Sequence, residues 1–311
     1  MFKKLKFFIP NDFKARADNL MDDRLNWNVT YSIKDASAVL SCYVNQDTSR
    51  DAIGNLICVP GVASNTFAEP MMRAIIYWGL SNEFNVFCIN TFLGDFRSNV
   101  TDAQLRSHSY RMFVDLVGQG IKMVENYRLG PNYIVAHSMG ATAVFDSINR
   151  RIMNNKPTAI KGAVMFAPYV GSCNLVRMST LLHRRFWPGV SYEEFMQRPI
   201  QLNNPSIDVK KFITIYPQFF ADAGNATDNI FQPHIMSQYN MPVTIIGGGQ
   251  DLKVPAAQLR KLSHELMAMP NGNLFKYIEF PNAKHSFNHQ HDNAGMITKI
   301  IKAQHPNMKL R

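Results

Sequence analysis

Cysteine and charge are both scarce in this chain. Only four of its 311 residues are cysteine, Cys42, Cys58, Cys88 and Cys173, and no CxxC pair occurs. That excludes a disulfide framework as the organising device. The first three cysteines lie in apolar, strand-like runs, where a free thiol behaves as a small hydrophobe, so a reduced, cytoplasmic protein is expected. Charged residues make up 18% of the chain and hydrophobic ones 46%, which excludes a disordered polymer. No apolar run approaches the length of a membrane span. Zinc-finger spacing, RNA-binding aromatic signatures, internal repeats and low-complexity tracts are also missing. The net charge is +10, yet the longest basic block is "KKLK", Lys3 to Lys6. Nucleic acid is therefore not an expected partner, whereas contact with an anionic membrane surface or an acidic substrate agrees with the charge.

The first ten residues, "MFKKLKFFIP", have some features of a signal peptide. Their apolar part is broken by Lys6 and stopped by Pro10, too short for the apolar region of one. A second reading is a weak surface anchor, with Phe2, Leu5, Phe7 and Phe8 entering lipid beside Lys3, Lys4 and Lys6.

What is present is an alternation. Short apolar runs begin at Asn55, Asn85, Asn132, Ile160, Pro242 and Leu274, each rich in β-branched or aromatic residues and each ending at small or turn-forming ones. Stretches with helical spacing lie between or after them: from Thr66, from Asp102, from Met139, from Ala256 and from His291. In the second, Leu105, Met112, Leu116 and Met123 fall at helical intervals. Strand, helix, strand predicts a mostly parallel sheet with helices on both faces. Upstream, "WNVTYSI" and "SAVLSCYV" have no helix between them and predict an antiparallel hairpin at the sheet edge. The alternation fails between residues 171 and 240, a proline-punctuated stretch rich in aromatics, among them Phe195, Phe219, Phe220 and Phe231. A stretch of that length carries structure of its own or serves function. It is read as a helical cap inserted between two pieces of one core, 1–170 and 241–311. Its aromatics are either contacts for an apolar substrate or plain packing.

Chemistry concentrates at Ser138, in "NYIVAHSMGATAVF", where a strand hands over to a helix. Groups beyond the carboxyl ends of parallel strands are the functional ones. A sharp turn there lifts the hydroxyl clear of the sheet and leaves no room for bulk two residues to either side, where Ala136 and Gly140 stand. The helix amino terminus that follows favours developing negative charge. A serine that merely caps this helix is the plainer alternative.

This segment resembles the G-x-S-x-G nucleophile elbow of the α/β-hydrolase superfamily, with Ala136 in place of the first glycine. The resemblance runs over nearly the whole chain. It implies a twisted eight-stranded sheet of the α/β-hydrolase fold, an insertion, and the order nucleophile, acid, base. The matching positions are Asp251 in "GGGQDLKVP", just past a strand, and His285 in "PNAKHSF", past the last strand. His289 and His291 are nearby rivals to His285, and with Asp292 they suggest a metal cluster as an alternative. No metal or organic cofactor is implied. His137 adjoins the serine, and the elbow is expected to aim its side chain elsewhere.

The resemblance also implies two N–H donors for an oxyanion, from Met139 after the nucleophile and from Val62 in the loop after the first central strand. Relatives usually carry His-Gly in that loop, and here Pro60-Gly61 stands. These two are otherwise an ordinary strand-ending turn. Asn90 replaces an acid common in relatives, so Asp95 is not assigned a catalytic role. "AHSMGA", "GGGQDLKVP" and the insertion after "FAPYVG" look most like the lysophospholipase and monoacylglycerol-lipase branch. The expected function is serine hydrolysis of a carboxylic ester, an acyl lipid above all. Peptide, amide or carbon–carbon cleavage and a non-catalytic binding role on the same scaffold are the alternatives.

Overall fold

The computed structural model describes residues 24–33, 36–45, 52–62, 64, 66, 69–91, 109–127, 130–170, 189–196, 200–203, 212–215 and 218–287. The N-terminal segment, Cys173, Leu105, Asp95, His289, His291, Asp292 and the helix expected from His291 lie outside them.

Strands β1 (Arg24–Ile33) and β2 (Ala36–Asn45) pair antiparallel and form the edge hairpin expected from the sequence. β1 exposes Asn28, Thr30 and Ser32 while half-burying Val29, Tyr31 and Ile33, the period of two of a strand with one wet face. The Tyr31 hydroxyl donates to the carbonyl of Leu116 at 2.9 Å and ties this edge to a helix.

β3 (Asn55–Val59), β4 (Asn85–Thr91) and β5 (Asn132–His137) are buried at every residue. That is why they read as continuous apolar runs: helices cover both faces of a parallel sheet. β6 (Ile160–Phe166), β9 (Val243–Gly248) and β10 (Phe275–Phe280) complete an eight-stranded sheet in the order β1-β2-β4-β3-β5-β6-β9-β10. β2 meets β4 antiparallel, and from β4 to β10 every pairing is parallel.

The register of the central strands has a polar clamp. Asn85, Asn55 and Asn132 are the first residues of β4, β3 and β5 and stand opposite one another. Asn55 Nδ2 donates to Asn132 Oδ1 at 2.8 Å, and Asn85 Nδ2 donates to Asn55 Oδ1 at 3.1 Å. All three are buried.

Helix α1 (Pro70–Ser81) opens on proline, whose missing N–H is no loss in a first turn. Its Gly79 lies so close to β3 that a Cβ would come within 2.6 Å of Leu56 Cδ2. Helix α2 (Tyr110–Tyr127) lies within the stretch whose helical periodicity runs from Asp102, residues 102–108 lying outside the described ones. It buries Phe113, Leu116, Val117, Gly120, Ile121 and Val124, spacings of three and four that make one stripe. Met112 and Met123 flank that stripe, half-buried. Helix α3 (Ser138–Met153) is buried from Ser138 to Asn149.

The inserted stretch contains helix α4 (Tyr192–Met196), strands β7 (Ile200–Asn203) and β8 (Phe212–Ile215), helix α5 (Gln218–Thr227) and helix α6 (Pro233–Met236). β7 and β8 form a separate antiparallel pair, so the insertion adds a hairpin to the helices expected there. "IQLN" and "FITI" are β-branched and alternating, a signal too short to stand out from a loop. Several of its aromatics pack inward. Phe219 meets Tyr110 and Phe113 edge-on at 6.2 and 6.1 Å, and Phe231 meets Phe145 of α3 at 5.0 Å. For these residues packing, rather than substrate contact, is what the geometry displays.

Helix α7 (Ala256–Met267) buries Leu259, Leu262 and Leu266 between β9 and β10 in the chain. Cys42, Cys58 and Cys88 are free and buried on the adjoining strands β2, β3 and β4. Among the described residues no helix is long and apolar enough to cross a membrane.

Candidate active site

β5 ends at His137, and α3 begins at the next residue. The reversal is taken up at Ser138, whose φ of 56° lies in the left-handed region. For a residue with a Cβ this conformation is costly and persists only where its surroundings enforce it. Gly140 shows what enforces smallness here. A Cβ on it would stand 2.0 Å from the carbonyl oxygen of Pro60. The demand thus comes from the neighbouring loop as well as from the turn. Gly61 also runs close to Ser138, since its own Cβ would lie 3.3 Å from Ser138 Cβ. Val62 follows it, half-buried, and Met139 is buried beside Ser138.

The structure brings together the three residues the sequence pattern singled out. Ser138 Oγ lies 2.8 Å from His285 Nε2, and His285 Nδ1 lies 2.8 Å from Asp251 Oδ2. Ser138 follows β5, Asp251 follows β9, and His285 follows β10, so all three stand at the carboxyl edge of the parallel sheet. Gly248 and Gly249 make the approach of the last two loops possible. A Cβ on Gly248 would stand 2.5 Å from the Ala283 carbonyl oxygen, and one on Gly249 would stand 2.4 Å from that of Pro281. Asp251 is held from its other side: its Oδ1 accepts from the N–H groups of Lys253 at 2.8 Å and Val254 at 2.9 Å.

Electrostatics fix the protonation states. Burial raises the Asp251 pKa, but the hydrogen bond and charge of His285 and the two backbone donors hold it below its ordinary value. Burial pushes His285 down to about 4, opposed by its bond to Asp251 and assisted by the cations of His137 and Lys253. At neutral pH the imidazole is therefore unprotonated, and it can accept a proton from Ser138.

Two further residues, Glu69 and Tyr169, carry no motif that announces them, and His137 stands inside the elbow motif with no role assigned to it. His137 is buried, with Nδ1 3.1 Å from Glu69 Oε2 and Nε2 2.8 Å from the backbone carbonyl oxygen of His285. Its ring nitrogens are engaged with Glu69 and with the loop that carries His285 rather than with Ser138. Glu69 immediately precedes α1, and "EP" before a helical run is the one local signal it gives. Tyr169, past the end of β6, sets its ring 6.1 Å from that of His285 at a tilt of 57°. Asn90, read as a lost acid, accepts from Thr66 N–H at 2.9 Å and Thr66 Oγ1 at 3.0 Å. It thereby ties the end of β4 to the chain leading out of β3, with an amide oxygen in the acceptor role of a carboxylate.

No cluster of three or more potential metal ligands occurs among the described residues. Of the alternative metal set only His285 is described, and both its ring nitrogens are engaged.

No protein-family model matches the sequence, and no curated protein matches it. Solved structures do. The α/β-hydrolase domain-containing protein 10 of mouse superposes with a TM-score of 0.59 at 14% identity, over 89% of this chain and 98% of the mouse chain. An esterase of Pyrococcus furiosus superposes with a TM-score of 0.58 at 14% identity, over 97% of this chain and 96% of its own. Est1E of Butyrivibrio proteoclasticus gives 0.57 at 13% identity, over 89% and 96%. With its eight-stranded sheet, its strand order and these neighbours, the chain has the α/β-hydrolase fold.

Proposed function

We propose that the protein is a serine hydrolase of carboxylic esters. The observation that carries this reading is the unbroken hydrogen-bonded chain from Ser138 through His285 to Asp251 at a left-handed strand-to-helix turn. Ser138 Oγ attacks the acyl carbon and its proton passes to His285 Nε2. The carbonyl oxygen becomes an oxyanion facing the N–H groups of Met139 and Val62. The carbon–oxygen bond to the alcohol then breaks as His285 returns the proton to the departing oxygen. Water repeats the sequence on the acyl–Ser138 ester, giving a proton to His285 and releasing the carboxylic acid. Asp251 holds the imidazole in the tautomer with its proton on Nδ1. No step requires a cofactor.

For the substrate we take an acyl lipid such as a lysophospholipid or a monoacylglycerol. The support is the resemblance of "AHSMGA" and "GGGQDLKVP" to that branch. Residues 171–240 act in this reading as the cap over the acyl chain. Solved neighbours named esterase and thioesterase agree with ester chemistry in general.

A panel of acyl esters assayed with wild type and Ser138→Ala tests the proposal. Loss of about four orders of magnitude or more in kcat/KM is expected for the variant. Equal turnover by both proteins would remove the hypothesis. Fluorophosphonate labelling of Ser138 without turnover of any ester would move the reading to amide, peptide or carbon–carbon cleavage. Absence of labelling would leave a binding protein on a hydrolase scaffold.

A further inference from the structure

The hydrolytic cycle leaves one buried ionisable pair without a task. The side chains of His137 and Glu69 are only 6% and 7% exposed, and His137 Nδ1 lies 3.1 Å from Glu69 Oε2. His137 Nε2 lies 2.8 Å from the His285 carbonyl oxygen. A carbonyl oxygen only accepts, so Nε2 carries a proton. A neutral imidazole has one N–H, so the bond between Nδ1 and Glu69 takes its proton either from Nδ1, as an imidazolium facing a carboxylate, or from a protonated Glu69. Glu69 is held below its ordinary pKa and His137 above its own, which favours the imidazolium and the carboxylate. The ring of this imidazolium lies 5.0 Å from that of His285.

Resting on the ester-hydrolase reading above, we propose that Glu69 and His137 form a buried carboxylate–imidazolium pair that positions His285 against Ser138. One N–H grips the backbone carbonyl of His285, and the positive charge faces its imidazole. Glu69 serves the other side of the site too: a Cβ on Gly61 would stand 3.6 Å from both Glu69 Oε1 and Ser138 Oγ. A single acid thus abuts the loop after β3, the end of β5 and, through His137, the loop after β10. Both positions are positioning residues, since neither lies within hydrogen-bonding distance of the reacting bond.

The charges around the two imidazoles agree. Burial opposes ionisation of both partners, yet each outweighs it for the other, so Glu69 stays below and His137 above its ordinary pKa. His137 faces Glu69 and, further off, Asp251. His285 faces Asp251, His137 and Lys253, and Glu69 also feels its charge. For His285 the His137 cation acts downward, with burial and against the Asp251 hydrogen bond. Burial above all makes the resting base neutral; the His137 cation adds to it and, once His285 has taken the serine proton, makes it a stronger acid toward the departing alcohol.

Glu69→Gln removes both charges of the pair and keeps its hydrogen bonds. The glutamine amide donates to His137 Nδ1, so His137 becomes neutral while its Nε2–H bond to His285 survives. Two measurements test the proposal. The first is nitrogen-15 NMR of histidine-labelled wild type at pH 7, where His137 should show two protonated ring nitrogens. The second is the pH dependence of fluorophosphonate labelling of Ser138 and of ester kcat/KM. In wild type the acid limb follows His285, near pH 4. In Glu69→Gln the His137 cation is lost together with the Glu69 carboxylate, which acts on His285 the other way; His137 is the stronger influence on His285, so the limb should move up, by less than about one pH unit, with KM at the plateau unchanged. A merely structural role would lower the plateau and leave the limb in place. One bare ring nitrogen on His137 in wild type overturns the proposal, and does so even if the variant does not fold. An unmoved limb with Ser138 labelled overturns the positioning role alone. Wild-type Ser138 that never labels overturns the hydrolase reading and this role with it.

Discussion

At Gly140 the sequence pattern and the structure agree against helix propensity. In the third position of α3 an alanine would ordinarily add about 1 kcal/mol to a helix. Here its Cβ would stand 2.0 Å from the Pro60 carbonyl oxygen and 3.1 Å from Val59 Cγ1. A backbone oxygen at the end of β3 cannot swing aside as a flexible side chain can, so the loop through Gly61 and Val62 must shift. Gly140→Ala is therefore expected to lose about 2 kcal/mol of stability and to slow fluorophosphonate labelling of Ser138 by about tenfold. Urea denaturation and labelling rates measure the two effects. A variant more stable than wild type and equally reactive would show that the loop and elbow are not in the contact described. The same residue explains what sequence could tell. Ser138 was legible at the handover from strand to helix, and Asp251 and His285 because the resemblance implies the order nucleophile, acid, base and each of them follows an apolar strand run. Glu69 and His137 were not, because their partnership spans 68 residues and depends on how a loop folds back over the elbow. Asn90 was legible only as a departure. Its acceptor role toward Thr66 needed coordinates.

At the scale of elements, the parallel strands were found by apolar content, but their register was not. Apolar runs buried on both faces carry no alternation, so a slip of one residue would not be penalised by exposure. The three asparagines supply what the apolar residues lack. Each is the first residue of its strand, and the pattern "NLICV", "NVFCINT", "NYIVAH" was present in the sequence as three runs opening on the same polar residue. Nothing in a single run marks that residue as a rung. Only their alignment across β4, β3 and β5 does. Asn55 is the middle rung, donating to one neighbour and accepting from the other. Asn55→Leu removes both bonds and leaves Asn132 Oδ1 and Asn85 Nδ2 without that partner inside the protein. The expected cost is about 3 kcal/mol, read as a lowered urea midpoint with an unchanged slope. A loss under about 0.5 kcal/mol would mean that the ladder is replaced by other partners at no cost.

For the molecule as a whole, the question is whether residues 171–240 are a separate unit or part of one cooperative fold. The sequence reading set them apart because the strand–helix alternation lapses there and prolines interrupt it. The described part of the insertion is nevertheless keyed into the sheet's covering helices. Phe219 is buried to 1% exposure, edge-on to Tyr110 and Phe113 of α2. Asn149 of α3 donates to the Ile230 carbonyl at 2.6 Å and accepts from the Tyr239 hydroxyl at 2.8 Å. Asn271, beyond α7, donates to the carbonyls of Met236 and Tyr239, both at 3.0 Å. Phe195, Phe219, Ile230, Met236 and Tyr239 belong to the same continuous apolar cluster as β3, β4 and β5. Contacts of this kind couple the stability of insertion and sheet, so the two should unfold together. Phe219→Ala deletes a ring from that junction, at an expected cost of about 3–4 kcal/mol. With Trp27→Phe and Trp187→Phe, fluorescence comes from Trp78 alone, buried on α1, and reports the sheet's covering layer rather than the insertion. Denaturation of this single-tryptophan protein followed by that fluorescence and by far-ultraviolet circular dichroism should give one coincident transition. Both signals should shift together in Phe219→Ala. Two separated transitions, or a Trp78 signal that ignores the substitution, would make the insertion an independent domain resting on the sheet and would require its aromatics to be read again as a substrate surface.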